Sequence, residues 1–127
     1  MVGGGPGAFI GAVHRLAAEM DREFCLVAGA FSSDPAKSSA MGEELGLDST
    51  RVYESWAAML EKEAVLPEEQ RIHAVAIVTP NHVHHAPAIA ALKAGFHVIC
   101  DKPLTISSAL AEEMRLAVKS SGKVFTL

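Results

Sequence analysis

The chain has 127 residues, half of them apolar and a fifth charged, which suits one globular domain around a single core. Its formal net charge is −4 and it contains no run of lysine or arginine, so nothing in it answers the phosphate charge of a nucleic acid. No apolar run approaches the roughly 20 residues that span a bilayer. No charged-then-apolar leader opens the chain, and Cys25 and Cys100 form no CxxC pair. A cytoplasmic protein with two buried free cysteines, no membrane partner and no nucleic-acid partner is expected.

Met1-Val2 leads directly into Gly3-Gly4-Gly5-Pro6-Gly7-Ala8-Phe9-Ile10-Gly11. Phe9, Ile10, Val13, Leu16, Ala17 and Met20 recur at helical spacing and predict a helix over 9–20. Residues 24–31 (FCLVAGAF) form an apolar run of strand length, suited to a strand buried on both faces. Ser32-Ser33-Asp34-Pro35 marks a helix start, with Asp34 as cap, Pro35 at the first helical position and Gly46 closing the helix after about Leu45. Val52-Tyr53 reads as a short strand, Ser55 as the cap of a helix to about Lys62, and 63–72 as a polar loop around Pro67. Residues 73–78 make a second buried strand ending at Thr79-Pro80-Asn81, then a helix over 84–94 stopped by Gly95. Residues 97–100 make a third strand, ending at Asp101-Lys102-Pro103. Ser107 caps the last long helix, Gly122 ends it, and 124–127 begins another strand. Buried strands alternating with helices predict an α/β domain over 1–127, a doubly wound parallel sheet in three layers. Only two residues precede the glycines and the last strand is just begun, so truncation at both ends is expected.

The glycine loop is the first chemical signal. A phosphate needs close backbone approach, free N–H donors and a helix N-terminus behind them, and glycine permits the approach because it has no Cβ. Gly3-x-Gly5-x-x-Ala8 fits the short dinucleotide fingerprint with alanine in third place, and Gly11 as the packing glycine fits a longer variant. Gly3, Gly5, Pro6, Gly7, Ala8, Phe9 and Ile10 are the expected phosphate cradle. A merely flexible turn could carry the same glycines; the position between a strand and a helix favours the cradle. At the end of the second strand, a carboxylate would select NAD through the adenosine ribose 2′-hydroxyl. Here the strand ends in Ser32 and Ser33, Asp34 is better used as a cap, and Lys37 follows one turn in. That set suits a 2′-phosphate and favours NADP over NAD, although serines before a helix are also simply good caps.

Thr79 and Asn81 offer hydrogen bonds at the height of a bound cofactor, and Pro80 fixes their turn; Asn81 could also cap the next helix. His82, His84 and His85 lack a cysteine or carboxylate at ligand spacing, so no metal is expected, and His84 is read as ordering the loop or opening the helix. Lys102 can donate to a substrate hydroxyl and to the alkoxide that forms as hydride leaves. A cis Lys102–Pro103 bond would aim it into the cleft. His14, Trp56 and Met59 are assigned to packing.

In order, Gly3 through His14, Thr79-Pro80-Asn81-His82-Val83-His84 and Cys100-Asp101-Lys102-Pro103 resemble the Gfo/Idh/MocA oxidoreductases, the group of glucose–fructose oxidoreductase and inositol dehydrogenase. The resemblance covers essentially the whole chain. It implies an N-terminal Rossmann domain, followed in the family by an α/β domain that holds the substrate, often builds a homo-oligomer, and is absent from this chain. It implies hydride transfer between NADP or NAD and a hydroxyl of a sugar, inositol or related polyol. Lys102 matches the lysine of the family's Glu-Lys-Pro motif beside the nicotinamide, and Thr79 through His84 match its Thr-Pro-Asn-x-x-His loop. Asp101 stands in place of the family's glutamate, one methylene shorter with the same charge, and joins Lys102 and Pro103 in the implied cofactor site. The family's general base, usually a histidine of the second domain, is absent, so the chain alone is expected to be inactive. Two other readings stay open: a sensor module that binds a dinucleotide without chemistry, and a glycosidase that uses bound nicotinamide transiently.

Overall fold

The computed structural model describes residues 1–127, which divide into two compact units, Met1–Met59 and Leu60–Leu127. The first unit opens with a two-residue strand, β1 (Val2–Gly3). The Met1 ammonium donates to the Ala28 carbonyl at 2.8 Å, and Ala30 N–H and Gly3 N–H close a parallel bridge through Met1 O and Ala30 O, each at 2.9 Å. A second parallel bridge joins Gly29 to Val52, where Tyr53 N–H donates to Gly29 O at 2.8 Å. The strand expected over 24–31 is therefore paired only at Gly29 and Ala30. Residues 24–27 carry no bridge and form no strand. Phe24 is half exposed and Cys25 is exposed, against the expectation that both cysteines are buried.

α1 (Phe9–Glu19) follows the glycine loop, and its buried residue is Gly11. Phe9, Leu16 and Met20 stay exposed. The apolar repeat locates this helix without identifying its inward side, because the closest approach is made by a residue with no side chain. α2 (Pro35–Glu44) starts as expected: the Asp34 carboxylate accepts from Ala36 and Lys37 N–H. It ends with Gly46 at φ 67°, its N–H donating to Glu43 O while Leu47 N–H donates to Gly42 O. α3 (Trp56–Ala64) is capped by Ser55, whose Oγ accepts from Ala58 N–H at 3.1 Å. It runs past Lys62 and places Glu63, fully buried, where its carboxylate accepts from Ile72 N–H at 3.1 Å.

Ser38 ties the first unit together. Its buried Oγ accepts from Phe31 N–H at 3.0 Å and donates to Tyr53 O at 2.8 Å. Ser38→Ala strands both partners, and a buried unsatisfied group costs about 1–3 kcal/mol. Urea unfolding of this variant is expected to show a loss of about 2 kcal/mol; an unchanged midpoint would mean that the two backbone groups find other partners.

In the second unit β2 (Ala74–Val78), β3 (His97–Cys100) and β4 (Phe125–Thr126) pair in parallel. Ala74 stands opposite His97, Ile77 opposite Cys100, and Val98 opposite Phe125. Val75, Ile77, Val98 and Cys100 are fully buried, whereas Ala74, Ala76, His97 and Ile99 on the alternate positions are half buried. Each large apolar side chain so buried stabilises by about 1.5–3 kcal/mol before entropy is counted. α4 (His85–Lys93) packs on β2, on β3 and on α5 (Ser108–Ser121). Gly95 and Gly122, both at positive φ, end the two helices as expected, and Ser107 Oγ caps α5 by accepting from Leu110 N–H. No helix is long and apolar enough to cross a membrane.

Candidate functional site

In the first unit β1 runs straight into the glycine loop. Gly3, Gly4 and Gly7 have φ of 84°, 76° and 78°, a region that side chains other than glycine rarely enter. Ala8 N–H donates to Gly5 O at 3.0 Å and closes the turn. A Cβ on Gly5 would lie 2.7 Å from Phe31 O, and one on Gly11 would lie 2.5 Å from Gly4 Cα. The loop thus folds flat against the end of the 28–31 segment, and α1 packs against the loop through Gly11. Asp34, Ser55 and Ser107 cap their helices, but Ala8 provides α1 with no side-chain cap. The first N–H groups of α1 therefore lack a side-chain acceptor beside exposed Pro6, Gly7, Ala8 and Phe9; Ile10 behind them is half buried. This donor set suits a phosphate, and it fits the pyrophosphate of a dinucleotide.

The Ser32 side chain lies beside the loop: its Cβ is 3.6 Å from the position a Gly5 Cβ would take. Ser32 Oγ accepts from Asp34 N–H at 3.1 Å. Ser33, Asp34 and Lys37 are exposed. The Asp34 carboxylate already holds the α2 N-terminus, so an incoming anion meets a negative charge as well as two hydroxyls and an ammonium.

In the second unit β2 and β3 are neighbours in parallel, so the loops that follow them leave from the same carboxyl edge. After β2 come Thr79 and Pro80, then a single 3-10 turn, Asn81–Val83. Asn81 is exposed, and α4 begins without a side-chain cap, so the capping role considered for Asn81 is not taken up. After β3, Asp101 N–H donates to Ile77 O at 2.9 Å, and Lys102 and Pro103, joined by a cis peptide, are exposed. His84 is fully buried and links the two loops. Nδ1 lies 2.9 Å from Pro103 O, and Nε2 lies 2.8 Å from Thr79 O. Thr79 Oγ1 and Thr105 Oγ1 are buried without a hydrogen-bond partner.

Burial pushes the Cys100 thiol up to about 11, with the Asp101 charge adding to the effect, so it stays a protonated core group rather than a nucleophile. His82 is exposed, and His85 Nε2 approaches Glu113 Oε2 at 2.9 Å between α4 and α5. No group of three or more His, Cys, Asp or Glu side chains could hold a metal ion.

The structure brings Gly3–Gly11 against Phe31 and Ser32 within the first unit, and Thr79, His84 and Pro103 together within the second. Ser38 and Glu63 are invisible to sequence reasoning. Serine occurs everywhere on polar surfaces, and Glu63 lies in a segment that reads as loop; only the buried backbone groups they meet give them meaning.

A family model described as an oxidoreductase family with an NAD-binding Rossmann fold matches residues 1–127. An oxidoreductase from Sinorhizobium meliloti is 56% identical with a TM-score of 0.92, over 98% of this chain and 34% of that one. An inositol dehydrogenase homolog from Azotobacter vinelandii, solved with NADH and myo-inositol, is 43% identical with a TM-score of 0.93, over 98% of this chain and 32% of that one. An uncharacterized oxidoreductase of Bacillus subtilis is 40% identical over 125 residues, 98% of this chain and 31% of that protein. The chain spans about a third of the length of the relatives it matches. Its parallel α/β architecture is the NAD-binding Rossmann fold.

Proposed function

The chain belongs to the Gfo/Idh/MocA oxidoreductase family, and from that premise we propose that it is the dinucleotide-binding part of a dehydrogenase acting on a sugar, inositol or related polyol hydroxyl. The observation that carries this is the glycine loop, closed onto Phe31 at Gly5 and backed by a helix with no side-chain cap. The bound nicotinamide dinucleotide supplies the hydride acceptor or donor. Gly3, Gly5, Pro6, Gly7, Ala8, Phe9 and Ile10 take the pyrophosphate through backbone N–H groups, and Ser32, Ser33 and Lys37 take the adenosine ribose. Thr79, Pro80, Asn81, Asp101, Lys102 and Pro103 serve the nicotinamide end, with His84 ordering their two loops. The Lys102 ammonium donates to the reacting oxygen and steadies its charge while a base outside these 127 residues takes the proton. The Azotobacter relative with NADH and myo-inositol supports the substrate class. A substrate domain beyond these residues, a homo-oligomer built through it and a cytoplasmic location complete the proposal.

Ser32, Ser33 and Lys37 favour NADP, and Asp34 opposes it. Asp34→Asn keeps an acceptor for Ala36 and Lys37 N–H but removes the charge. At a partly exposed site one unit charge beside a phosphate is worth about 1.4 kcal/mol. The ratio of NADP to NAD affinity, measured by calorimetric titration, is expected to rise about tenfold. An unchanged ratio would mean that no 2′-phosphate sits at the start of α2.

A further inference from the structure

The amphipathic pattern of α1 is turned outward. Gly11 is buried, and His14, Arg15 and Ala18 are half buried, so these four residues make the inward side of the helix. Arg15 donates there from Nη1 to Gly4 O at 3.4 Å. Phe9, Ala12, Val13, Leu16, Ala17 and Met20, spaced to share one helix face, are all exposed. Phe9, Leu16 and Met20 are 81%, 70% and 82% exposed. A surface helix normally turns its apolar stripe to the core and its charges to water. In α1 a guanidinium faces in and the apolar stripe faces out. Leaving such a stripe in water is unfavourable in proportion to its area, and a contiguous apolar patch on a surface marks a site of interaction. We infer that the outward face of α1 is an interdomain docking surface, covered in the full-length protein by an apolar face of its substrate domain.

The size of the face and the length of the relatives decide the occupant. α1 has 11 residues. A strip of helix that long is about 16 Å by about 10 Å, and two such strips fall far short of the roughly 1,200 Å² that specific interfaces between separate molecules bury. A second copy of the chain is therefore a poor occupant. A domain on the same polypeptide needs much less area, because the link between them sets an effective concentration of about a millimolar. The relatives carry such a polypeptide: the Azotobacter and Sinorhizobium proteins match this chain over 32% and 34% of their length, so most of each lies outside the matched segment. Glu19, at the rim, is the one charged residue exposed on this side of α1, so the covering surface is itself apolar. α1 follows directly on the glycine loop, and docking there fixes the added domain to the element that carries the proposed cofactor cradle. The inference rests on the proposed function in one respect, that the protein extends beyond these residues into a substrate domain.

Thiol labelling tests the assignment. Leu16→Cys is made in a Cys25→Ser background, because Cys25 is exposed and Cys100 is buried. In the 127-residue chain the thiol at position 16 is expected to react with a maleimide as fast as a free cysteine in solution. In the protein extended through its substrate domain the rate is expected to fall by about tenfold or more. Equal rates in the two overturn the docking face. A rate in the 127-residue chain that falls as its concentration rises assigns the face to a second copy and overturns the interdomain reading. Leu16→Glu gives a second readout, which also serves should the cysteine variant fail to fold. Limited proteolysis between the two domains of the extended protein is expected to quicken about tenfold, while the unfolding midpoint of the 127-residue chain stays where it was. Unchanged proteolysis overturns the proposal. Protection at position 16 in an extended protein that binds neither NAD nor NADP would sink the proposed function and leave the docking face standing; dinucleotide binding with position 16 unprotected would do the reverse.

Discussion

Replacing Gly5 by valine is expected to remove dinucleotide binding from a chain that still folds. A single Cβ at this position would stand 2.7 Å from Phe31 O, closer than real side chains come to backbone, and valine adds two methyl groups to it. The loop must move off the 28–31 segment, at a cost of about 1–3 kcal/mol for overpacking. The more serious loss is geometric, because the donors offered to the phosphates move with the loop. Two hydrogen bonds from backbone N–H to a charged oxygen are worth about 1.5 kcal/mol or more each, so affinity is expected to fall at least about a hundredfold. Gly7→Ala provides the comparison. Nothing lies within 4 Å of the added Cβ, and the only penalty is φ 78°, about 1 kcal/mol of backbone strain. Titration of the two variants is expected to show binding lost in the first and weakened only a fewfold in the second. Near-normal binding by Gly5→Val would remove the glycine loop from the cofactor site.

Lys102→Ala is expected to act in the opposite way, leaving the fold and the cofactor affinity alone while stopping turnover. Lys102 is exposed, so truncating it changes stability by no more than about 0.5 kcal/mol. A positioned donor at a reacting oxygen contributes about a hundredfold to ten-thousandfold in rate. In an enzyme that joins this chain to its substrate domain, kcat is expected to fall within that range, with the NAD or NADP dissociation constant unchanged. Undiminished turnover would give the chemistry to another residue. A parent protein without turnover on any polyol, but with tight cofactor binding, would make the chain a sensor module.

The parts of this fold that were legible in sequence are those fixed by local chemistry. Asp34-Pro35, Ser107 and the glycines at 46, 95 and 122 act through bonds within a few residues, so the helix ends at α2, α4 and α5 fall where the sequence places them. β2 and β3 were legible because their apolar runs lie against each other along their whole length. Residues 24–27 carry the same apolar signal and form no strand, because an apolar run becomes a strand only where a ladder partner lies beside it, and the bridges here are confined to Gly29 and Ala30. α1 was legible as a helix but not in its orientation: close packing through Gly11 leaves no hydrophobic signature. In the candidate site, the glycine loop and the Thr79 and Lys102 turns were readable as motifs. The His84 bridge was not, since both of its acceptors are backbone carbonyls, which every residue possesses.

Calorimetric titration of the folded 127-residue chain with NADP and with NAD, at matched salt, is the most direct test of the central claim. One saturable site for a nicotinamide dinucleotide is the predicted result, with NADP the tighter ligand and with binding abolished by Gly5→Val. A chain that gives a native, cooperative unfolding transition yet binds neither dinucleotide would contradict the assignment of the glycine loop as a cofactor cradle.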